Sequence, residues 1–249
     1  MQNSDRPDLG KGGLLEQLDR YPVTLGVLLA NALLFGFCAW KSGGLEVDPR
    51  MLVDLGANYA PALREEPWRL VTAAFLHFDV LHLLLNAWAL HTIGRVLEVH
   101  FGSARLFVLY VLCALAGSGC SAAWQLLQGA PAASAGASGG VFGLIFLGWF
   151  YARSAPERLG TLAERLRGWI LTLAVFTGFV LITRPGLVDH AGHLGGALMG
   201  ALLGTLVRPR PGVDVHPAWT ALAHLFAVGC LLSFAAVVWT LRTGGRLPG

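Results

Sequence analysis

Charged residues are scarce in this chain, and long blocks of it contain none. Only 13% of the 249 residues are charged, whereas about 25% is usual for a soluble globular domain. Residues 106–152 carry no charged side chain at all. This composition excludes an ordinary soluble domain. The net charge of +3 is small and scattered, so the basic stripe that nucleic-acid binding needs is missing and we expect no nucleic-acid partner.

The chain also lacks a metal-binding cysteine pattern and a recognisable signal peptide. Its four cysteines, all in apolar segments, are Cys38, Cys113, Cys120 and Cys230. We interpret them as small hydrophobic residues of membrane helices, and we expect neither a metal nor another cofactor. The first twenty residues are polar and mixed in charge, which does not resemble a cleavable signal peptide.

Seven apolar segments are candidates for crossing a bilayer, which takes about 20 residues of helix. They are residues 22–40, 70–93, 106–127, 138–152, 168–183, 190–207 and 218–241. The fifth is short, and an amphipathic link of residues 41–69 joins the first two. We expect that link to lie flat in the outer leaflet. The pattern predicts an all-α polytopic membrane protein.

Positively charged side chains are distributed unevenly between the two sides of this topology. With a cytoplasmic N terminus, eleven of the 18 Lys and Arg residues fall on the cytoplasmic side, and four of the others lie in the long link. Short cytoplasmic loops carry an excess of Lys and Arg, so this orientation is favoured. We expect a multi-pass protein of the bacterial inner (cell) membrane with its N terminus in the cytoplasm.

Polar side chains from three of the segments then fall at one depth. His77, His82 and Asn86 lie in the outer half of the second segment. Ser138 opens the fourth, and His193 lies near the start of the sixth. Polar groups inside a bilayer are costly and usually functional, so we expect these residues to form one site near the outer face.

Glycine spacing indicates how two of these segments meet. Glycines recur at every fourth residue of the sixth segment and twice at that spacing on the fourth; they are Gly192, Gly196, Gly200, Gly204, Gly139 and Gly143. Small residues at this spacing let helix backbones approach closely in lipid. We therefore expect the two segments to pack together and to bring His193 within hydrogen-bonding distance of Ser138. Packing alone would explain the glycines but not a histidine on the same face.

Several motifs, taken in chain order, resemble those of the rhomboid intramembrane serine proteases. They are Trp68-Arg69, His77-x4-His82-x3-Asn86, Gly94-x3-Glu98 with Gly102, Gly136-x-Ser138-Gly139 and His193-x-Gly195-Gly196. Gly-x-Ser-Gly alone is a weak signal, but its combination with the histidine motifs is specific. The resemblance implies a rhomboid-like six-helix catalytic core (residues 22–210). A cytoplasmic segment (residues 1–21) would precede it, and one additional C-terminal transmembrane helix with a short tail (residues 211–249) would follow.

The resemblance also implies a function. Ser138 would be the nucleophile and His193 the general base of a serine endopeptidase dyad, while Asn86 and His82 would stabilise the oxyanion. Its partners would be single-span or polytopic membrane-protein substrates, cleaved near the outer face, and membrane lipids. The chemistry is consistent, since a serine needs an adjacent base and the N–H groups of a helix N terminus can stabilise an oxyanion.

Two functions from other classes stay open. One is a catalytically silent rhomboid-like protein that binds membrane proteins, although such relatives usually lack the serine or the histidine. The other is a small transporter or channel, which would be expected to show an internal repeat with paired broken helices. At the level of single residues, the alternative role of Asn86 is an interhelical hydrogen bond, and that of His82 is packing against a neighbouring span.

Other polar residues are interpreted as structural. Asp189 lies four residues before His193, as a triad acid might suggest, but its place after the Pro185-Gly186 turn favours a helix N-cap. Asp79 is interpreted as a residue of the outer surface or a helix start, and His77 as a support for the link.

The remaining motif residues and the other histidines are also given structural roles. Trp68 and Arg69 are interpreted as interface anchors, and Glu98 as a cap or an interhelical bond. A metal site among the histidines is disfavoured, because no His-Glu-x-x-His string is present.

Overall fold

The computed structural model describes residues 14–183, 188–207 and 216–244, and helices account for their regular structure. Their ten α-helices are α1 (Leu14–Arg20), α2 (Pro22–Ser42), α3 (Pro49–Asp54), α4 (Arg69–Thr72), α5 (Val80–Phe101), α6 (Ser103–Gln128), α7 (Ser138–Arg153), α8 (Pro156–Thr183), α9 (His190–Leu206) and α10 (Pro217–Thr243). Two 3-10 turns, Ala60–Ala62 and Ala73–Phe75, flank α4. The all-α class is confirmed for these ranges, while the Pro185-Gly186 turn and residues 1–13 lie outside them.

Four of these helices are long and apolar enough to cross a membrane, namely α2, α5, α6 and α10. Helices α7 and α9 have 16 and 17 residues, fewer than the roughly 20 that a full span takes. Helix α7 lies in the interior, where it packs against α6, α8 and α9. Helix α9 buries its glycine face and exposes leucines on the other, such as Leu194 and Leu198 at 60% each. The outer helices present large apolar side chains outwards, as Leu231 and Trp239 of α10 do at 71% exposure each. That is the surface expected of helices in contact with lipid.

The contact between α7 and α9 is made by glycine backbone. A Cβ atom added at Gly196 or Gly200 would overlap the carbonyl oxygen of Gly139 or Gly143, respectively. A Cβ at Gly204 would likewise overlap the carbonyl oxygen of Leu147. The predicted close packing of these two segments is therefore confirmed, and only glycine permits it at these positions.

The second predicted segment, residues 70–93, does not form one helix, and this prediction is wrong. The chain forms α4 and a 3-10 turn up to Phe75 and becomes extended at Asp79 before α5 begins at Val80. The Asp79 carboxylate accepts a hydrogen bond of 2.8 Å from the backbone N–H of His82 and so caps α5. Hydropathy does not register such a cap, because apolar residues lie on both sides of it. The interpretation of Asp79 as a helix-start residue is confirmed.

The fifth segment is also longer than predicted. Helix α8 has 28 residues and begins at Pro156, well before the expected start at residue 168. Its first half carries charges, including Glu164 and Arg167, whose side chains are more than 60% exposed and form an ion pair of 2.6 Å. Exposed pairs three residues apart are compatible with a helix. The apolar part of α8 begins only after these charged residues, whereas the helix itself begins before them.

The link between α2 and α5 is held by a buried arginine. The Arg69 guanidinium donates to the carbonyl oxygens of Val53 and Ala57 and pairs with Glu66, and the residue is only 2% exposed. The interpretation of Arg69 as an interface anchor is therefore wrong, because its side chain satisfies loop carbonyls in the interior. Leu52 of α3 is fully buried in a second apolar cluster. Whether the link lies in the outer leaflet stays a prediction.

Glu98 joins two of the membrane helices. From α5, its carboxylate accepts hydrogen bonds from the backbone N–H groups of Val23 and Thr24, each at 2.9 Å, and from the Thr24 hydroxyl at 2.6 Å. These N–H groups belong to the first turn of α2, where helix donors lack intrahelical partners. The predicted cap or interhelical bond is confirmed, and Glu98 fulfils both roles.

Candidate active site

The contact between α7 and α9 brings Ser138 and His193 together. Ser138 is the first residue of α7, and His193 lies in the first turn of α9. The His193 Nε2 atom lies 2.8 Å from the Ser138 Oγ atom, which is a hydrogen-bonding distance. This proximity is the one that the glycine spacing predicted. Because Ser138 opens its helix, the N–H groups beside it belong to the donors that a helix N terminus leaves free.

A stacked aromatic ring holds the imidazole in place. Phe142, one turn after Ser138 on α7, lies parallel to the His193 ring at 15°, with the centroids 4.1 Å apart. The phenyl ring fixes the plane of the imidazole and covers one of its faces. The sequence interpretation missed Phe142. Its spacing of four residues from Ser138 was the available signal, since residues four apart share a helix face.

The Asp189 carboxylate makes no hydrogen bond to His193 in the described part of the chain. It accepts from the Gly192 backbone N–H at 2.8 Å and from the Ser134 hydroxyl at 2.5 Å. The Nδ1 atom of His193 is buried and has no hydrogen-bond partner in the described ranges. The N-cap interpretation of Asp189 is therefore confirmed. The dyad itself stays a prediction.

His82 lies against the loop that carries Ser138, where Gly136 leaves room for its ring. Gly136 has a φ of +143°, which L side chains rarely adopt, and a Cβ there would lie 2.9 Å from the His82 Nε2 atom. This added Cβ atom would lie 3.6 Å from the Ser138 Oγ atom. The imidazole thus faces the loop that carries the serine. The first Gly of the Gly-x-Ser-Gly motif is explained by this close approach.

Asn86 lies one turn further along α5 and is buried, with 6% exposure. Its Nδ2 atom donates to the carbonyl oxygen of His82 at 2.9 Å, within its own helix. His82 and Asn86 therefore share a face of α5. An amide has two N–H donors, so this bond leaves one of them for another acceptor.

His77 lies before α5 and not on it. Its ring is fully buried and makes an edge contact with the His82 ring, with centroids 5.1 Å apart. Burial, reinforced by the neighbouring His82, lowers the pKa of His77 to about 3, so the side chain is neutral at physiological pH. A neutral, enclosed ring is compatible with a structural role, and its support of the link stays a prediction.

A small polar cavity adjoins the dyad. Its volume is about 30 Å³, and it is lined by Ser118, Ser134 and Asp189 as well as by Ser138 and His193. A cavity needs roughly 10–15 Å³ of this kind of volume to hold a water molecule. The site can therefore keep one water next to the serine hydroxyl, although it lies among apolar helices.

Comparison with known proteins assigns the chain to a family. A family model described as Rhomboid domain matches residues 64–210, the region that contains every motif residue named above. The chain belongs to the rhomboid family. With four apolar helices of spanning length, this rhomboid family member is a multi-pass integral membrane protein.

Relatives of the chain include rhomboid proteins from distant organisms. It is 33% identical to Rhomboid-like protease 3 of Toxoplasma gondii, over 71% of this chain and 66% of the relative. It is also 33% identical to RHOMBOID-like protein 4 of Arabidopsis thaliana, over 71% and 43%. The Rhomboid protease GluP of Bacillus subtilis is 29% identical, over 72% and 34%. The matching region thus spans between a third and two thirds of these relatives.

Proposed function

We propose that this rhomboid family member is an intramembrane serine endopeptidase that cleaves transmembrane substrates near the outer membrane face. The observation that carries the proposal is the 2.8 Å contact between Ser138 Oγ and His193 Nε2. An imidazole at that distance can take the hydroxyl proton and so activate the serine as a nucleophile. The family gives the chemical class, and the contact supports activity in this particular chain.

The reaction follows from the positions of these groups. His193 Nε2 takes the proton of Ser138 as the serine oxygen bonds to the scissile carbonyl carbon. N–H groups at the start of α7, together with Asn86 and His82, stabilise the negative oxygen that results. His193 then gives its proton to the leaving amine, and the peptide C–N bond breaks. A water molecule deprotonated by His193 hydrolyses the acyl-enzyme and restores the serine.

The proposed topology has six spans in the core and α10 as a seventh, with the N terminus in the cytoplasm. In this orientation α5, α7 and α9 all begin at the outer side, so the N-cap Asp79, Ser138 and His193 share one depth. The excess of Lys and Arg on the cytoplasmic side supports this arrangement. Relatives occur in eukaryotes and in a bacterium, so the bacterial inner membrane stays a prediction.

The alternative is a silent rhomboid-like protein that binds membrane proteins without cleaving them. A fluorophosphonate probe separates the two, because it reacts only with an activated serine. We expect the purified protein in detergent to be labelled at Ser138 and to cleave members of a panel of transmembrane substrates. A folded protein that takes up no probe and cleaves none of the panel would overturn the proposal.

Asn86→Ala is expected to lower turnover by about 10²–10³-fold, the usual cost of losing one oxyanion donor. The substrate KM should change little, because the amide acts on charge that develops in the transition state. Backbone donors at Ser138 persist, so residual activity remains. Thr92→Ala, which removes another intrahelical side-chain bond of α5, is the control. Unchanged turnover in Asn86→Ala would assign Asn86 to packing alone.

A reporter fused after Gly249 tests the seventh span. Helix α10 has 27 residues, and only 11% of its most apolar 18-residue stretch is buried. This is expected of a helix that crosses the bilayer at the edge of the bundle. A reporter that is active only outside the cytoplasm should therefore work there. The same reporter inserted between Ser154 and Ala155, in the α7–α8 loop, should be silent. Activity of a cytoplasmic reporter at the C terminus would reduce the count to six spans.

A further inference from the structure

A second hydrogen bond joins the residues that lie four positions before each member of the candidate dyad. The Ser134 hydroxyl donates to the Asp189 Oδ2 atom at 2.5 Å. Ser134 precedes Ser138 by four residues, and Asp189 precedes His193 by four. The two segments that carry the dyad are thus joined twice, once through the dyad itself and once through this pair.

Each member of the pair is fixed to a rigid part of the molecule. Ser134 forms a two-way backbone bridge with Asn58 of the link, with N–H to oxygen distances of 2.8 and 2.9 Å. Asn58 is fully buried, and its Nδ2 atom donates to the carbonyl oxygen of Ser118 on α6 at 2.8 Å. Asp189 is held to α9 by its bond to Gly192. The hydrogen bond between Ser134 and Asp189 therefore connects the link and α6 on one side with α9 on the other.

The glycine contact between α7 and α9 does little to prevent the two helices from sliding along their axes, and the hydrogen bond between Ser134 and Asp189 can prevent it. Backbone contacts between small residues determine how closely two helices approach, but they provide few interlocking side chains to resist sliding along the helix axes. A short bond to a carboxylate is a strong hydrogen bond, and this one lies at the level of the helix starts. It is placed to fix the axial position of His193 relative to Ser138.

We propose that Ser134 and Asp189 form a positioning pair that maintains the distance between Ser138 Oγ and His193 Nε2. The inference rests on the proposed protease function and adds two residues to it. Neither residue touches the reacting atoms, so both act through the dyad.

Ser134→Ala tests the pair without removing the cap of α9. Misplacement of a reacting group by about 1 Å can cost about 10²-fold, and we expect turnover and the rate of fluorophosphonate labelling to fall by at least about tenfold. The substrate KM and the melting temperature in detergent should change little. Ser134→Thr keeps a hydroxyl and should restore most of the rate.

The matched control is Ser154→Ala. Ser154 also donates its hydroxyl through a short bond, to the Tyr151 carbonyl oxygen at 2.7 Å, but at the opposite end of α7. Its labelling rate should equal that of the wild type. A merely structural role for Ser134 would lower the melting temperature and leave the labelling rate per folded molecule unchanged.

Variants of Asp189 complete the test. In Asp189→Asn the amide oxygen can accept from Gly192 while the amide N–H donates to Ser134, so most activity should remain. A triad acid replaced in this way costs about 10⁴-fold in turnover. Asp189→Ala loses both bonds and should be slow. Because the two residues act through one contact, Ser134→Ala combined with Asp189→Ala should be no slower than Asp189→Ala alone.

The outcomes separate the inference from the function on which it rests. Wild-type protein that takes up no probe would contradict the protease proposal. A labelled wild type with Ser134→Ala labelled at the same rate would overturn the positioning pair alone, as would fully additive losses in the double variant. A loss of about 10⁴-fold in Asp189→Asn would replace the positioning role by that of a triad acid.

Discussion

Ser138→Ala and His193→Ala are each expected to abolish proteolysis while the protein stays folded in the membrane. The serine supplies the atom that attacks, and the imidazole at 2.8 Å is the base that activates it. Without either group the substrate still binds, but no acyl-enzyme forms. Residues that act as a unit lose activity non-additively, so the double variant should be no worse than either single one. Cleavage of a transmembrane substrate in detergent, with probe labelling beside it, measures the loss.

Both variants remove few contacts, so a loss of cleavage can be assigned to catalysis and not to unfolding. Ser138→Ala deletes one oxygen, and His193→Ala deletes a ring that stacks on Phe142. The matched controls are Ser154→Ala and His224→Ala, the latter an exposed histidine of α10. Both should cleave at the wild-type rate. Substantial cleavage by Ser138→Ala would remove the serine-protease interpretation altogether.

The candidate dyad could be predicted from the sequence because its determinants are local. The glycine spacing defines a face on each of two helices, and His193 lies near that face. Ser138 is the first residue of an apolar run, which places it at a helix start without knowledge of the fold. The cap at Asp189 was predictable for the same reason, since it depends on residues three and four positions away.

What the sequence did not yield depends on contacts between distant residues. Arg69 is buried because carbonyl groups 12 and 16 residues away need hydrogen-bond donors. A hydropathy pattern does not predict such distant partners. The hydrogen bond from Ser134 to Asp189 spans 55 residues. Likewise, the boundary at Val80 is determined by a cap inside an apolar stretch and not by a change in composition.

Gly200→Val is expected to cause the largest loss of folded protein among single changes to the core. A Cβ atom at Gly200 would overlap the Gly143 carbonyl oxygen. Backbone cannot swing away as the end of a flexible side chain can, so α7 and α9 must separate. Overpacking a tight core typically costs about 1–3 kcal/mol and occasionally more, and we expect this contact to lie at or above the top of that range. Thermal unfolding in detergent and the yield of monodisperse protein measure the effect.

Gly119→Val is the matched control for this experiment. Gly119 also lies within a membrane helix, α6, but an added Cβ meets no atom within 4 Å. Both variants carry the same cost of placing valine in a helix, so any difference between them reports the helix contact. Gly119→Val should melt near the wild type, and Gly200→Ala should fall between the two valine variants. Activity should fall with stability, because separating the helices moves His193 away from Ser138. A Gly200→Val protein as stable as Gly119→Val would contradict the backbone contact through which the dyad is assembled.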